Sequence, residues 1–175
     1  VEAIERARLS KGIPSVEQES PAAENFRLER STRERPVEET TIANDYWMAD
    51  IMVRLNGRGL HELPKSKFAE YIEMVVEIES PVHKDEVLRR IMGACGVNRA
   101  GSRIRDAYSA ALKYATRSRK RIKRSKEFLW QAGNPDVRVR DRSGLDNAAR
   151  GVEMIAPEEI ALAFKTVVEQ SHSID

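Results

Sequence analysis

RAGSRIRDAYSAALKYATRSRKRIKRSK, residues 99–126, is the stretch from which the rest of the chain is best read. It holds eleven Lys and Arg against one acid, Asp106, while the whole chain of 175 residues carries a formal charge of only +2. The remainder is therefore net acidic, and the positive field is concentrated here. The stretch also has two periods. Ile104, Ala107, Tyr108, Ala111, Leu112 and Ala115 share one helical face, with Ser102 in N-cap position. Beyond it, KRIKRSKEFLWQ sets Ile122 on one side of a turn near residues 124–126 and Phe128 with Trp130 on the other, which reads as two short strands. A helix running into a basic hairpin is the order of a winged helix-turn-helix.

The sequence upstream completes that order. Phe68, Tyr71, Ile72, Val75 and Val76 follow helical spacing from Lys65 and stop before Pro81, a residue that disfavours helix in its predecessor. A second helix is expected over residues 84–95, with Asp85 and Glu86 at its positive end and Gly93 and Gly96 at its exit. Val87, Leu88 and Ile91 form its stripe. GVNRAG then supplies a turn between helices. Residues 65–130 thus predict helix, extended link, helix, turn, helix, strand, strand.

The flanks are less regular. In DYWMADIMVRL, Trp47, Ala49, Ile51, Val53 and Leu55 alternate, which favours a strand, although the spacing of Trp47, Ile51 and Leu55 also suits a short helix. VRVRDRSG alternates from Val137 to Arg140, with Asp141 placed to neutralise Arg138, Arg140 and Arg142. IAPEEIALAFKTVVEQS reads as a final helix with Pro157 at its first position. Its stripe is Ile160, Ala163, Phe164, Val167 and Val168. Residues 1–41 mix acids, bases, Pro and Ser without periodicity, so they are expected to be a linker, largely disordered or a helical connector from an upstream module. The expected domain is residues 42–175, with its core at 65–130 and an extension over 131–175. Its expected class is α+β, mainly α: a winged helix-turn-helix with an extra N-terminal strand-like segment and a C-terminal helix.

Composition narrows the functional classes. No run of about 18 apolar residues suggests a membrane span, and the start at Val1 reads as a cut from something longer. One cysteine, Cys95, excludes an internal disulfide framework and fits a reducing cytoplasm. It reads as a buried, inert thiol. His61, His83 and His172 are too far apart for a recognisable metal motif. His83 reads as a cap or a packed imidazole. Ser102 has no nucleophile elbow around it. Trp47 and Trp130 are expected to pack in the core or between domains.

The blocks ESPVHKDEVLRRI, NRAGSRIRDAYSAAL, FLW, VRVRDRSG and IAPEEIALAFKTVV together resemble an uncharacterised domain found at the C-terminus of large bacterial superfamily I DNA/RNA helicase-like proteins. The resemblance spans roughly residues 46–171. In such proteins the domain follows a helicase core and a restriction-endonuclease-like module related to very-short-patch repair nucleases. The resemblance implies that this chain is the tail of such a protein. The phosphate-binding pattern GxxxxGK[ST] is absent and no nuclease core is recognisable. ATP and Mg are therefore implied only for the parent helicase module, and this fragment is expected to be non-catalytic and without cofactor.

The expected function is nucleic-acid contact. Arg99 and Arg103 are candidates for base edges in a groove, and Lys113 and Arg117 for phosphates further along the helix. Arg119, Lys120, Arg121, Lys123, Arg124 and Lys126 are candidates for backbone or minor-groove contact from the hairpin. Duplex DNA is the expected partner, with RNA also open, together with other modules of the parent polypeptide. A membrane or small-molecule partner is not expected. The alternative is a winged helix that docks on the helicase or nuclease module, or dimerises.

Overall fold

The stripe that begins at Phe68 builds the centre of the structure. A computed structural model describes residues 43–133 and 136–172, and the linker expected over residues 1–41 lies outside them. The first helix, α1, spans Lys65–Glu79 and buries Phe68, Ala69, Tyr71, Ile72, Val75 and Val76 on one face. It ends where Ser80 N donates to Val76 O, followed by a cis Ser80–Pro81 peptide. Two residues on, β2 (Val82–His83) leads directly into α2 (Lys84–Ala94).

The exit of α2 explains its two glycines. Gly96 has φ +67, a region costly for residues with a Cβ. That bend lets Gly96 N reach Gly93 O and Val97 N reach Met92 O, so the last carbonyls find donors. The third helix, α3, spans Ser102–Tyr114 and continues as a single π turn over Ala115–Arg119. Ser102 is its first residue rather than its cap. Gly101 holds the N-cap position, and no side chain caps the end. Lys120, with φ +56, ends the helix.

A hairpin follows: β3 (Ile122–Ser125) pairs antiparallel with β4 (Phe128–Gln131), and β4 pairs antiparallel with β2. The resulting sheet has the order β2-β4-β3. Its inner residues Val82, Ile122 and Leu129 join the core of α1, α2 and α3. Fully burying an aliphatic or aromatic side chain stabilises by about 1.5–3 kcal/mol, so this one cluster is the main source of stability. The architecture is α+β and mainly helical.

The flanks depart from the expected pattern. Residues 46–55 form no strand; only β1 (Asn44–Asp45) is paired, in parallel with β5 (Arg140–Asp141). The alternation is nonetheless visible in burial, because Ala49 and Ile51 face α1 while Met48, Asp50, Met52 and Arg54 face outward. Trp47, expected to pack in the core or between domains, is 75 % exposed and so is not part of this core. The last helix, α4 (Pro157–His172), starts where expected. Its stripe is not a core face: Ile160 and Ala163 are half-buried, and Phe164, Val167 and Val168 are exposed.

What fastens these flanks is a set of buried ions. Glu79, fully buried, accepts from Tyr46 Oη at 2.6 Å, Ala49 N at 2.9 Å and Arg90 Nε at 3.1 Å. Glu159 accepts from Arg140 Nη2 at 2.7 Å and from Arg142 Nη1 and Nη2 at 2.7 and 2.8 Å. Both guanidiniums also lie over the Tyr46 ring, at 5.0 and 5.1 Å from its centroid. Arg140 further donates to Glu79 O and Pro81 O. Asp141 does not neutralise these arginines; it accepts from Ser143 N and Oγ. Arg138 pairs with Asp136.

Candidate nucleic-acid interface

Packing of α3 on α1 fixes which of its residues face solvent. Tyr108, Ala111, Leu112 and Ala115 are buried, Tyr108 lies 5.9 Å from Phe68 between ring centroids, and its hydroxyl donates to Lys84 O at 2.7 Å. Burial raises the Tyr108 phenol far above its ordinary range, so it remains a donor. With that face committed, Arg103, Arg105, Lys113 and Arg117 are exposed. Arg99 is exposed in the link before α3. Asp106 is exposed on the same helix, the one acid among these bases.

The cations of the hairpin divide by environment. Lys120, Lys123 and Lys126 are exposed and without an ion pair among the described residues. Arg121, 72 % exposed, has only a distant approach of 3.9 Å to Glu73. Two others are engaged within the protein. Arg119 is half-buried, with Nε 2.7 Å from the buried Glu73 carboxylate and Nη1 3.6 Å from Glu70. Arg124 donates from Nε to Lys126 O at 2.8 Å and reaches Glu127 at 3.3 Å. The structure thus leaves nine of the ten sequence candidates exposed, Arg124 among them although it is engaged within the hairpin, and half-buries Arg119 against Glu73.

Between α2, α3 and Arg124 of the hairpin lies a groove lined by Lys84, Asp85, Leu88, Arg105, Lys113 and Thr116. Lys84 and Arg105 are the members that sequence reading missed. Arg105 falls two positions from Arg103 and four before Ser109, a flank of the helix that becomes significant only once the hairpin stands beside it. Lys84 belongs to another helix. Its side chain bridges to Glu127 at 2.7 Å, and that hydrogen bond raises its pKa. His83 caps α2, with Nδ1 accepting from Asp85 N at 3.3 Å, and its ring meets Phe128 edge-on. Cys95 is half-buried, and burial raises its thiol.

No group of three or more His, Cys, Asp or Glu side chains placed to hold a metal occurs among the described residues. No helix among them is long and apolar enough to cross a membrane. A family model described as "Protein of unknown function (DUF3320)" matches residues 58–106. The matched stretch runs from the turn before α1 to the first turn of α3, so it leaves out the hairpin and α4. No curated protein and no solved structure matches the chain.

Proposed function

We propose that the chain is a non-catalytic nucleic-acid-binding accessory domain in which residues 65–131 act as a winged helix-turn-helix. In this reading α3 enters the major groove of duplex DNA and the β3–β4 hairpin lies along the neighbouring backbone. The order helix, short strand, helix, helix, hairpin, with strands in the order β2-β4-β3, supports the fold. One observation carries the function. Arg99, Arg103, Lys113, Arg117, Lys120, Lys123 and Lys126 are exposed and lack an ion pair among the described residues, on a chain whose net charge is only +2. Unpaired like charges gathered on one helix and one hairpin repel each other, and a polyanion relieves that cost. The parent is proposed to be a helicase- or nuclease-like protein, on the strength of the sequence blocks alone.

The test is a fluorescence-anisotropy titration of duplex and single-stranded DNA at two salt concentrations. If about six cations neutralise phosphates, affinity should fall by about 10³-fold between 50 and 200 mM salt. An Arg103→Ala, Lys120→Ala, Arg121→Ala, Lys123→Ala variant should lose binding while keeping its fold. Absence of binding to either DNA form by the unmodified chain at low salt would overturn the proposal.

A further inference from the structure

The outer side of α1 carries an apolar stripe that the nucleic-acid reading does not use. Met74 and Ile78 stand one helical turn apart and are 43 and 49 % exposed. The extended segment before α1 runs antiparallel beside them, tied at one end by Ala49 N to Glu79 and at the other by Arg54 N to the Tyr71 hydroxyl at 3.1 Å. It adds Trp47 and Met52, 75 and 73 % exposed. Trp47 and Ile78 line one hollow, and Met52 and Met74 line another. The order along the surface is therefore Trp47, Ile78, Met74, Met52. Exposed apolar stripes of this kind mark interaction sites, and thioether side chains adapt readily to a facing surface.

The charges at the ends of the stripe identify its occupant. At the Trp47–Ile78 end, Asp45 and Glu77 are exposed and have no ion pair among the described residues. Arg138 at that end is already held by Asp136 at 2.7 Å, and Arg140 by Glu159. At the Met52–Met74 end, Arg54 and Arg58 are exposed and likewise without an ion pair. Lys67 beside them is held by Glu70 at 2.7 Å. The stripe is thus acidic at one end and basic at the other, with Ile78 and Met74 between them and one exposed acid, Asp50, on the extended segment between Trp47 and Met52.

Such a patch is complementary to itself under a two-fold axis through its middle. The rotation places Asp45 and Glu77 of one protomer against Arg54 and Arg58 of its partner, twice, and packs Met74 of each protomer against Ile78 of the other. A surface of one sign would match only one end and oppose the other. We infer that this stripe is the interface of a homodimer. The inference is independent of nucleic-acid binding. If both hold, the dimer carries two basic faces related by the same axis, the arrangement that reads paired half-sites.

Sedimentation equilibrium of the chain without nucleic acid, from about 1 to about 300 μM, brackets micromolar self-association. The unmodified chain should pass from monomer to dimer over this range, and Met74→Glu should remain monomeric with unchanged circular dichroism. Two charge variants then test the two-fold. An Arg54→Glu, Arg58→Glu variant and an Asp45→Lys, Glu77→Lys variant should each fail to self-associate, yet form a dimer when mixed, because every facing pair is again of opposite sign. A monomeric unmodified chain throughout the range would overturn the inference and assign the stripe to a different protein. So would self-association that survives Met74→Glu, or charge variants that stay monomeric on mixing.

Discussion

Glu159 shows most clearly how one residue can hold distant parts of this chain together. Its carboxylate, 2 % exposed, receives both Arg140 and Arg142, whose side chains are each 10 % exposed. Burial works against its charge, but hydrogen bonds from Arg142 and Arg140 outweigh burial and hold the carboxyl below its ordinary range. Removing such a partner leaves two buried cations uncompensated, so Glu159→Gln should cost about 3–5 kcal/mol at neutral pH, measured by urea denaturation. The sign with pH follows from the direction of the shift. A carboxylate with a depressed folded pKa contributes its full stability above the ordinary value of about 4.3, and loses it as pH falls through the folded value. The unmodified chain should therefore lose stability between pH 6 and pH 3 more steeply than Glu159→Gln; equal slopes would remove this role. Glu86 behaves oppositely, because burial raises its carboxyl despite Arg90 and Arg89. Neither residue announces itself in the sequence. Glu159 sits in the first turn of a helix, where a dipole role would suffice, and only the proximity of α4 to residues 140–142 gives it a second task.

At the scale of elements, α1 organises the molecule. Phe68, fully buried against Tyr108, joins α1 to α3. Phe68→Ala should cost about 3–5 kcal/mol, readable as a fall in thermal midpoint. The π turn after α3 depends on α1 through the Arg119–Glu73 ion pair, which sets where the hairpin stands relative to the helix. Arg119→Ala should then cost about 1–2 kcal/mol of stability, as a partly buried pair does. Lys123→Ala should change stability by less than about 0.5 kcal/mol but reduce the slope of DNA affinity against salt by about 1. Anisotropy at several salt concentrations, paired with denaturation of the same two variants, separates positioning from phosphate contact. If both variants lowered the salt slope equally, Arg119 would belong with the contacts. Helices α1, α2 and α3 and the hairpin were legible in the sequence because their apolar spacing, glycines and prolines act within a few residues. The π turn was not, because nothing in ATRSR distinguishes it locally from a plain helical end.

At the scale of the whole molecule, charge and apolar surface are separated. The unpaired cations gather on α3, its preceding link and the hairpin, while the stripe, acidic at one end and basic at the other, lies along the outer side of α1. α4 adds Phe164, Val167 and Val168 to the exposed apolar surface. The chain by itself determined the helical periods, the basic run at 99–126 and the start of α4 at Pro157, since each depends on residues close in sequence. It also implied that one face of each helix is apolar. Only the tertiary structure decided which of those faces are covered. A hydrophobic period records that a face is apolar but carries no information about what packs on it, so α3 and α4 look alike in sequence and differ in burial. The same limit applies to charge. Counting bases could not separate Arg119, held by Glu73, from Lys123, open to solvent, because pairing across the fold depends on residues far apart in the chain.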